Sequence, residues 1–202
     1  MPTLETLATR LLRFNRDVLA QAQELAAAHL TPGAPAYARP VGAHLRHVIE
    51  HYEALLFPPE PGAVDYDARP RDAALEQDPR IALQRLSVLS LALQGLGNQD
   101  LDVAVRVRGQ GGLQGDFGFD VASSLERELV FAASHAVHHF AVLQPHCDAH
   151  ALGPALHFGM APATVAHERA IAVMKTAAGP TNPHLNEEVP CNTPTLACAA
   201  AN

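Results

Sequence analysis

Residues 134–140 read Ser-His-Ala-Val-His-His-Phe and lie near the middle of the last long helix that the sequence predicts. His135 and His139 are four residues apart, so on a helix their side chains project from one face, about one turn apart. Two imidazoles at this spacing can share one metal ion. The stretch therefore predicts a metal site, with a further ligand expected from elsewhere in the chain.

A second group of histidines lies far upstream, where residues 44–51 read His-Leu-Arg-His-Val-Ile-Glu-His. On a helix, His44, His47 and His51 fall within about 60° of arc. His47 is at the centre of this group, so we expect it to join His135 and His139 as the third ligand. The flanking rings are expected to orient that ligand or to contact substrate. His138 lies about 100° round the helix from His139 and is expected beside the ligands rather than among them.

Composition limits the classes of protein to consider. The chain has 202 residues, 48% of them hydrophobic and 17% charged, which suits one helical globular domain. A net charge of −7 without a dense Lys/Arg run disfavours a nucleic-acid partner. Three cysteines without framework spacing, and neither a signal peptide nor an 18-residue apolar run, favour a cytoplasmic protein that does not enter a membrane. The 12 histidines are the one unusual feature of the composition, and they indicate a function that uses the imidazole group.

Apolar spacing, capping residues and prolines predict an all-α fold, a four-helix bundle with a short extra helix at its C-terminal end. The four long helices are expected from Thr3 to His29, from Pro40 to Phe57, from Pro79 to Leu96, and from Ser123 or Ser124 to Gln144, where Pro145 interrupts. The short helix is expected at residues 163–175. Residues 1–178 are then one metal-binding domain, and residues 179–202 form an irregular tail.

Two segments depart from the helical pattern. Alternation at residues 101–107 and 117–121, with a glycine-rich turn between them, predicts a small β-hairpin inserted before the last long helix. Residues 58–78 form a long, proline-rich, charged connection around Tyr66. It is either an ordered cover over a pocket or a solvated crossover between two helices.

The two histidine motifs resemble those of the DinB-like metalloprotein superfamily, four-helix bundles with a three-histidine metal site. His44-Leu45-Arg46-His47, with Glu53 six residues later, resembles the signature of the family's second helix, whose latter histidine binds metal. His135 and His139 resemble the H-x-x-x-H element of its last bundle helix. The resemblance covers residues 3–175. After the last histidine, Phe140-Ala141-Val142 replace the basic residue, glycine and glutamine common in the family, which indicates an uncharacterised branch.

The resemblance implies an enzyme with one divalent transition metal held by His47, His135 and His139. Zinc or nickel is preferred, with iron or manganese as further candidates. The family includes thiol transferases, so the expected reaction is activation of a low-molecular-weight thiol or of water toward a small-molecule substrate. The expected assembly is a homodimer.

Other side chains are candidates for the surroundings of the metal. The side chains expected to face substrate are His51, Tyr66, Asp67, Arg69 and Arg71. The two arginines are expected to clamp a substrate carboxylate. Glu53 and Glu128 are expected as partners of the ligating imidazoles.

Three alternatives stay open at this stage: a metal-dependent hydrolase, a non-catalytic metal-binding or dimerising scaffold, and a metal site near the C-terminal end. The last would use residues whose spacings fit no structural zinc pattern, namely His146, Cys147, His150, Cys191 and Cys198.

Overall fold

The computed structural model describes residues 5–97, 99–152 and 156–177. The described chain is predominantly helical with one small sheet, as the composition predicts. The helices are α1 (Leu7–Ala28), α2 (Ala43–Leu56), α3 (Ala73–Gln77), α4 (Pro79–Gly95), α5 (Leu125–Ala149) and α6 (Pro162–Ala177). The strands are β1 (Ala63–Asp65), β2 (Ala104–Gly111) and β3 (Phe117–Ser124).

Local signals explain where the long helices begin. The side chains of Thr6, Asp78 and Ser124 accept hydrogen bonds from backbone N–H groups in the first turns of α1, α4 and α5. These bonds satisfy donors that have no partner within the helix. Helix α1 therefore begins after Thr6 rather than at Thr3, which lies outside the described residues.

Two helix boundaries differ from the prediction. A π-helical turn, Ala38–Gly42, precedes α2, so the regular helix begins three residues after Pro40. Helix α5 continues through Pro145 to Ala149 instead of stopping at Gln144, so the predicted end was wrong. Proline removes one backbone donor, but the turn that follows it places Cys147 in the core with none of its surface exposed. That burial favours continuing the helix.

The four long helices share one apolar core. Helix α1 packs against α4 and α5, and α2 packs against the same two helices. Each contributes fully buried side chains, among them Leu19 and Leu25 of α1, Leu45 and Ile49 of α2, Leu86 and Leu89 of α4, and Leu129 and Phe140 of α5. This packing brings one face of α2 alongside one face of α5.

The predicted hairpin is present, and a third strand extends it. β2 and β3 pair antiparallel from Ala104 opposite Ser124 to Gly111 opposite Phe117. β1, from the long connection after α2, pairs parallel to β2, with Val64 opposite Val107. The sequence did not predict β1, because three residues are too few to show a period of two. This pairing makes the connection an ordered segment rather than a free crossover.

Within the described residues, the chain divides into two units between Val165 and Ala166. The division falls within α6, and the predicted tail after residue 178 lies outside the described residues. None of the helices in the described part of the chain combines the length and the apolarity needed to cross a membrane.

A buried polar pair lies between α1 and α2. Tyr52, fully buried, donates its hydroxyl to Asn15 Oδ1 at 2.9 Å, and Asn15 Nδ2 donates to the carbonyl of Leu11 at 2.9 Å. Both side chains are thus satisfied in an otherwise apolar core.

Replacing Tyr52 with Phe should lower the free energy of unfolding by about 1–3 kcal/mol, because Asn15 Oδ1 is left buried without its donor. Urea denaturation followed by circular dichroism measures the change. The double variant Asn15→Leu with Tyr52→Phe removes both polar groups and should recover part of the loss. A single variant as stable as the parent would contradict this role.

Candidate functional site: a histidine cluster between two helices

Imidazoles from α2 and α5 meet at the packed faces of the two helices. His135 Nε2 lies 2.9 Å from His47 Nε2 and 3.2 Å from His139 Nε2. One nitrogen from each of the three rings lies within 4.8 Å of the others. The structure therefore brings together the three residues that the sequence singles out as ligands. We call this group the histidine cluster.

The donor atoms of the histidine cluster suit a transition metal. In a tetrahedral zinc site, the histidine nitrogens lie about 2.0–2.1 Å from the ion and therefore roughly 3.3–3.4 Å from one another. Two of the three nitrogen pairs, at 2.9 and 3.2 Å, are slightly closer than this, and all three lie within 4.8 Å, so small shifts of the rings would accommodate an ion. Neutral imidazole is a ligand accepted by zinc, nickel and iron, so the donor set restricts the metal only to this class.

The flanking histidines of α2 contact the histidine cluster in two different ways. His44 Nδ1 lies 2.8 Å from His139 Nδ1, so it can fix the orientation of that ring. His51 Nδ1 lies 2.8 Å from the carbonyl of His47. A carbonyl only accepts, so the proton of His51 is on Nδ1 and its Nε2 carries a lone pair. The His51 ring lies 4.3 Å from that of His135, centroid to centroid.

Arg69, from the connection after β1, contacts the histidine cluster from outside. Its Nη1 lies 2.8 Å from His47 Nδ1, and its Nε donates to the carbonyl of Tyr66 at 2.5 Å. Because a guanidinium has no acceptor, His47 Nδ1 accepts in this arrangement and its proton is on Nε2. A ring that binds metal through Nε2 carries its proton on Nδ1 instead. Coordination of a metal through His47 Nε2 would therefore require Arg69 to release His47.

Burial keeps the imidazoles of this region neutral. It lowers the pKa of His47 to about 2, with the neighbouring His51 and Arg69 adding to the effect. Burial likewise lowers the pKa of His139 to about 3 and that of His51 to about 4, and it lowers the pKa of His44 and His135. The ring nitrogens are thus available as ligands or proton acceptors at neutral pH.

Tyr66 and Glu128 form a small network beside the histidine cluster. The Tyr66 ring stacks on that of His51 at 5.3 Å, and its hydroxyl donates to Glu128 Oε2 at 2.8 Å. Ser123 donates to Glu128 Oε1 at 2.6 Å. Glu128 is buried on the α5 face that carries His135, as its spacing predicts, but its hydrogen bonds go to two hydroxyl groups and not to an imidazole.

Four other predicted candidates lie away from the three ligand nitrogens. Glu53 pairs with Arg85 of α4 through two hydrogen bonds of 2.5 and 2.6 Å. Asp67 accepts from the backbone N–H of Gln110 on β2. Arg71 is exposed and reaches only the carbonyl of Arg69, at 3.4 Å. His138 is exposed, with its ring 5.7 Å from that of His139.

Sequence reasoning missed three residues that contact this region. Phe131 stacks on His135 at 5.5 Å, Ser123 bonds to Glu128, and Glu50 lies 3.7 Å from Arg69. Helical spacing would have found two of them, because Phe131 precedes His135 by four residues and Glu50 follows His47 by three. For Ser123, the sequence indicates only a helix cap.

Only three of the five residues of the alternative site near the C-terminal end lie within the described residues. The His146 and His150 rings lie 4.4 Å apart, and Cys147 is buried as a free thiol. Cys191 and Cys198 lie outside the described residues. Within the described ranges, the three residues of the histidine cluster are the only group of three or more His, Cys, Asp and Glu ligand atoms close enough to hold one ion.

No family model and no solved structure matches the chain. Over 104 residues it is 28% identical to FK506-binding protein 5 of Rhizopus delemar. That similarity covers 52% of this chain, and the chain spans about a quarter of the length of that protein, 27%. At this identity and coverage, the similarity does not place the chain in a family.

The lowered pKa values predict how the stability of the metal-free protein depends on pH. In the unfolded chain these histidines bind protons near pH 6.5, whereas in the folded chain His47, His51 and His139 do so only near pH 2–4. The unfolded state therefore binds more protons below pH 6.5, and the free energy of unfolding should decrease as the pH falls from 6.5.

Urea denaturation at pH values of about 7.5, 6 and 5 measures this dependence. The double variant His47→Gln with His139→Gln should show a shallower decrease than the parent protein. His138→Gln, on the exposed side of α5, is the control and should keep the parent's dependence. Equal slopes for the double variant and the parent would contradict the assignment.

Proposed function

We propose that the chain binds one divalent transition metal through Nε2 of His47, His135 and His139. The observation that carries this proposal is the convergence of three neutral imidazole nitrogens from two distant parts of the sequence. The three rings are half-buried, and their Nε2 atoms face one another, with His135 Nε2 at 2.9 Å from His47 Nε2 and 3.2 Å from His139 Nε2. An ion at their common centre would satisfy all three.

We further propose that α1, α2, α4 and α5 form a bundle of the DinB-like type. Two features support this assignment. The proposed ligands come from the second and the last of these four helices, as in that superfamily, and α1 and α2 each pack against both α4 and α5. On this view α3 and the sheet are insertions in the connections between bundle helices.

The proposed reaction is activation of a low-molecular-weight thiol for transfer to a small-molecule substrate. A three-histidine metal, when bound, supplies an open position and lowers the pKa of a thiol or water. Arg69 is the guanidinium nearest to His47 and suits an anionic nucleophile or a substrate carboxylate. His51 keeps a lone pair on Nε2 and can accept the proton that the nucleophile loses.

The hydrolase alternative uses water in place of the thiol as the nucleophile. A hydrolase of this kind needs a general base for the attacking water, and Glu53 and Glu128 are the candidates from the sequence. Glu53 is held by Arg85, and both oxygens of Glu128 accept from hydroxyl groups. Both carboxylates already have hydrogen-bond partners, but His51 could take the proton of a water molecule as well as that of a thiol, so the hydrolase remains the alternative.

Elemental analysis of gently purified protein tests the proposal. The parent should carry about one metal ion per chain, and His47→Ala, His135→Ala and His139→Ala should each lose it while keeping their helical circular dichroism. His138→Ala is the matched control from the same helix and should keep the metal. Unchanged metal content in any of the three ligand variants would require a different ligand set.

The same preparation, loaded with cobalt, tests the nucleophile. Cysteine or 2-mercaptoethanol should produce the charge-transfer absorption of a thiolate bound to cobalt. A spectrum unaffected by either thiol would contradict thiol activation and leave the metal site in place.

Arg69 provides a test of the metal site that does not depend on activity. The hydrogen bond from Arg69 to His47 Nδ1 opposes coordination through Nε2. The Arg69→Met variant should therefore bind zinc more tightly than the parent. Loss of about 1.4 kcal/mol of this competing interaction corresponds to about tenfold tighter binding. Competition with a fluorescent zinc chelator measures the affinity. Arg71→Met, at an exposed position, should leave it unchanged. Weaker binding by Arg69→Met would show that Arg69 supports the site.

A further inference from the structure

A cavity of about 580 Å³ lies between α2, the connection after it and α4. None of the histidines of the histidine cluster lines it. Its apolar lining includes Ala54, Phe57, Pro59 and Val88, and two of these side chains are large and half exposed, Phe57 at 50% and Val88 at 52%. A volume of this size suits a small organic molecule, and such a molecule would remove this apolar surface from water.

Most of the charged groups around the cavity already have partners. Glu53 is held by Arg85, and Glu60 accepts from Arg108 Nη1 at 2.6 Å. Asp65 Oδ1 accepts from the backbone N–H groups of residues 67 and 68. These groups do not need a ligand to satisfy them.

Glu50 is only partly satisfied, because Arg69 lies within ion-pair distance but one carboxylate oxygen has no hydrogen-bond donor among the described residues. Its side chain has no exposed surface, and it lines the cavity. Oε1 accepts from the backbone N–H of Asp72 at 2.7 Å, but Oε2 has no hydrogen-bond partner within the described residues. The guanidinium of Arg69 is 3.7 Å away, too far for a hydrogen bond. A buried carboxylate oxygen without a donor is costly, so a donor from outside the protein is expected here.

We propose that this cavity binds a small apolar molecule carrying an ammonium or other N–H donor, which bonds to Glu50 Oε2. The apolar part of the ligand would pack on Phe57 and Val88. A ligand carrying a carboxylate would instead place like charge against Glu50, so the site discriminates against anions. This site is distinct from the proposed metal site, because none of the three proposed ligands lines it, although Arg69 contacts both.

Isothermal titration of the full chain with three probes of similar shape tests the proposal: 2-phenylethylamine, 2-phenylethanol and phenylacetate. The amine should bind most tightly and phenylacetate least. Glu50→Gln should weaken binding of the amine by about tenfold or more, the scale of a charge-assisted hydrogen bond, and should change binding of the alcohol less. Glu24→Gln, which removes the same charge from an exposed position of α1, should have no effect.

A second variant keeps the test valid if Glu50→Gln unfolds. Val88→Trp adds bulk at an exposed position on the cavity and should abolish binding of the amine without loss of helical circular dichroism. His135→Ala should retain amine binding, which separates this site from the proposed metal site. The proposal is overturned if the amine does not bind, if phenylacetate binds as tightly as the amine, or if Val88→Trp binds it normally.

Discussion

Contact between one face of α2 and one face of α5 is the constraint on which the rest of the site depends. Each helix carries imidazoles at one-turn spacing, and the apolar side chains beside them, such as Leu45 and Ile49 on α2 and Leu129 and Phe140 on α5, are fully buried. Packing of these apolar neighbours holds the rings together, although clustering polar rings away from water is itself unfavourable. Burial of the apolar core thus provides the energy that holds the histidines in contact.

The surroundings of the three proposed ligands differ from one ring to the next. His139 has a second imidazole at its Nδ1, His47 has a guanidinium there, and His135 has the ring of Phe131 stacked on it. A histidine binds metal less favourably when a hydrogen-bond donor faces its second ring nitrogen than when a neighbouring group there can accept the proton of that nitrogen. Of the three proposed ligands, His47, with Arg69 beside it, is therefore the one whose surroundings would have to change most on metal binding.

The connection between α2 and α4 links the two sites proposed for this chain. Strand β1 anchors it to the sheet, Tyr66 and Arg69 reach the histidines of α2, and Arg69 also lines the cavity beside Glu50. Because one guanidinium contacts both His47 and the surroundings of Glu50, binding at either site changes the partners left for Arg69 at the other. A proline-rich connection thus acts as a structural part of both sites.

The sequence by itself determined the four long helices, the short helix after them, the hairpin and the faces that carry histidine, although not the five-residue α3, because capping residues and periods of 3.6 and 2 are local properties of the chain. It also placed Glu128 on the same face as His135. Only the tertiary structure decided which side chains meet across helices. Glu53 lies six residues after His47 and so about 120° away on the helix. It binds Arg85 on α4, whereas Glu50 and Arg69 lie close to each other beside His47. Strand β1 and the continuation of α5 past Pro145 were likewise decided by pairing and burial against distant residues, which no local pattern encodes.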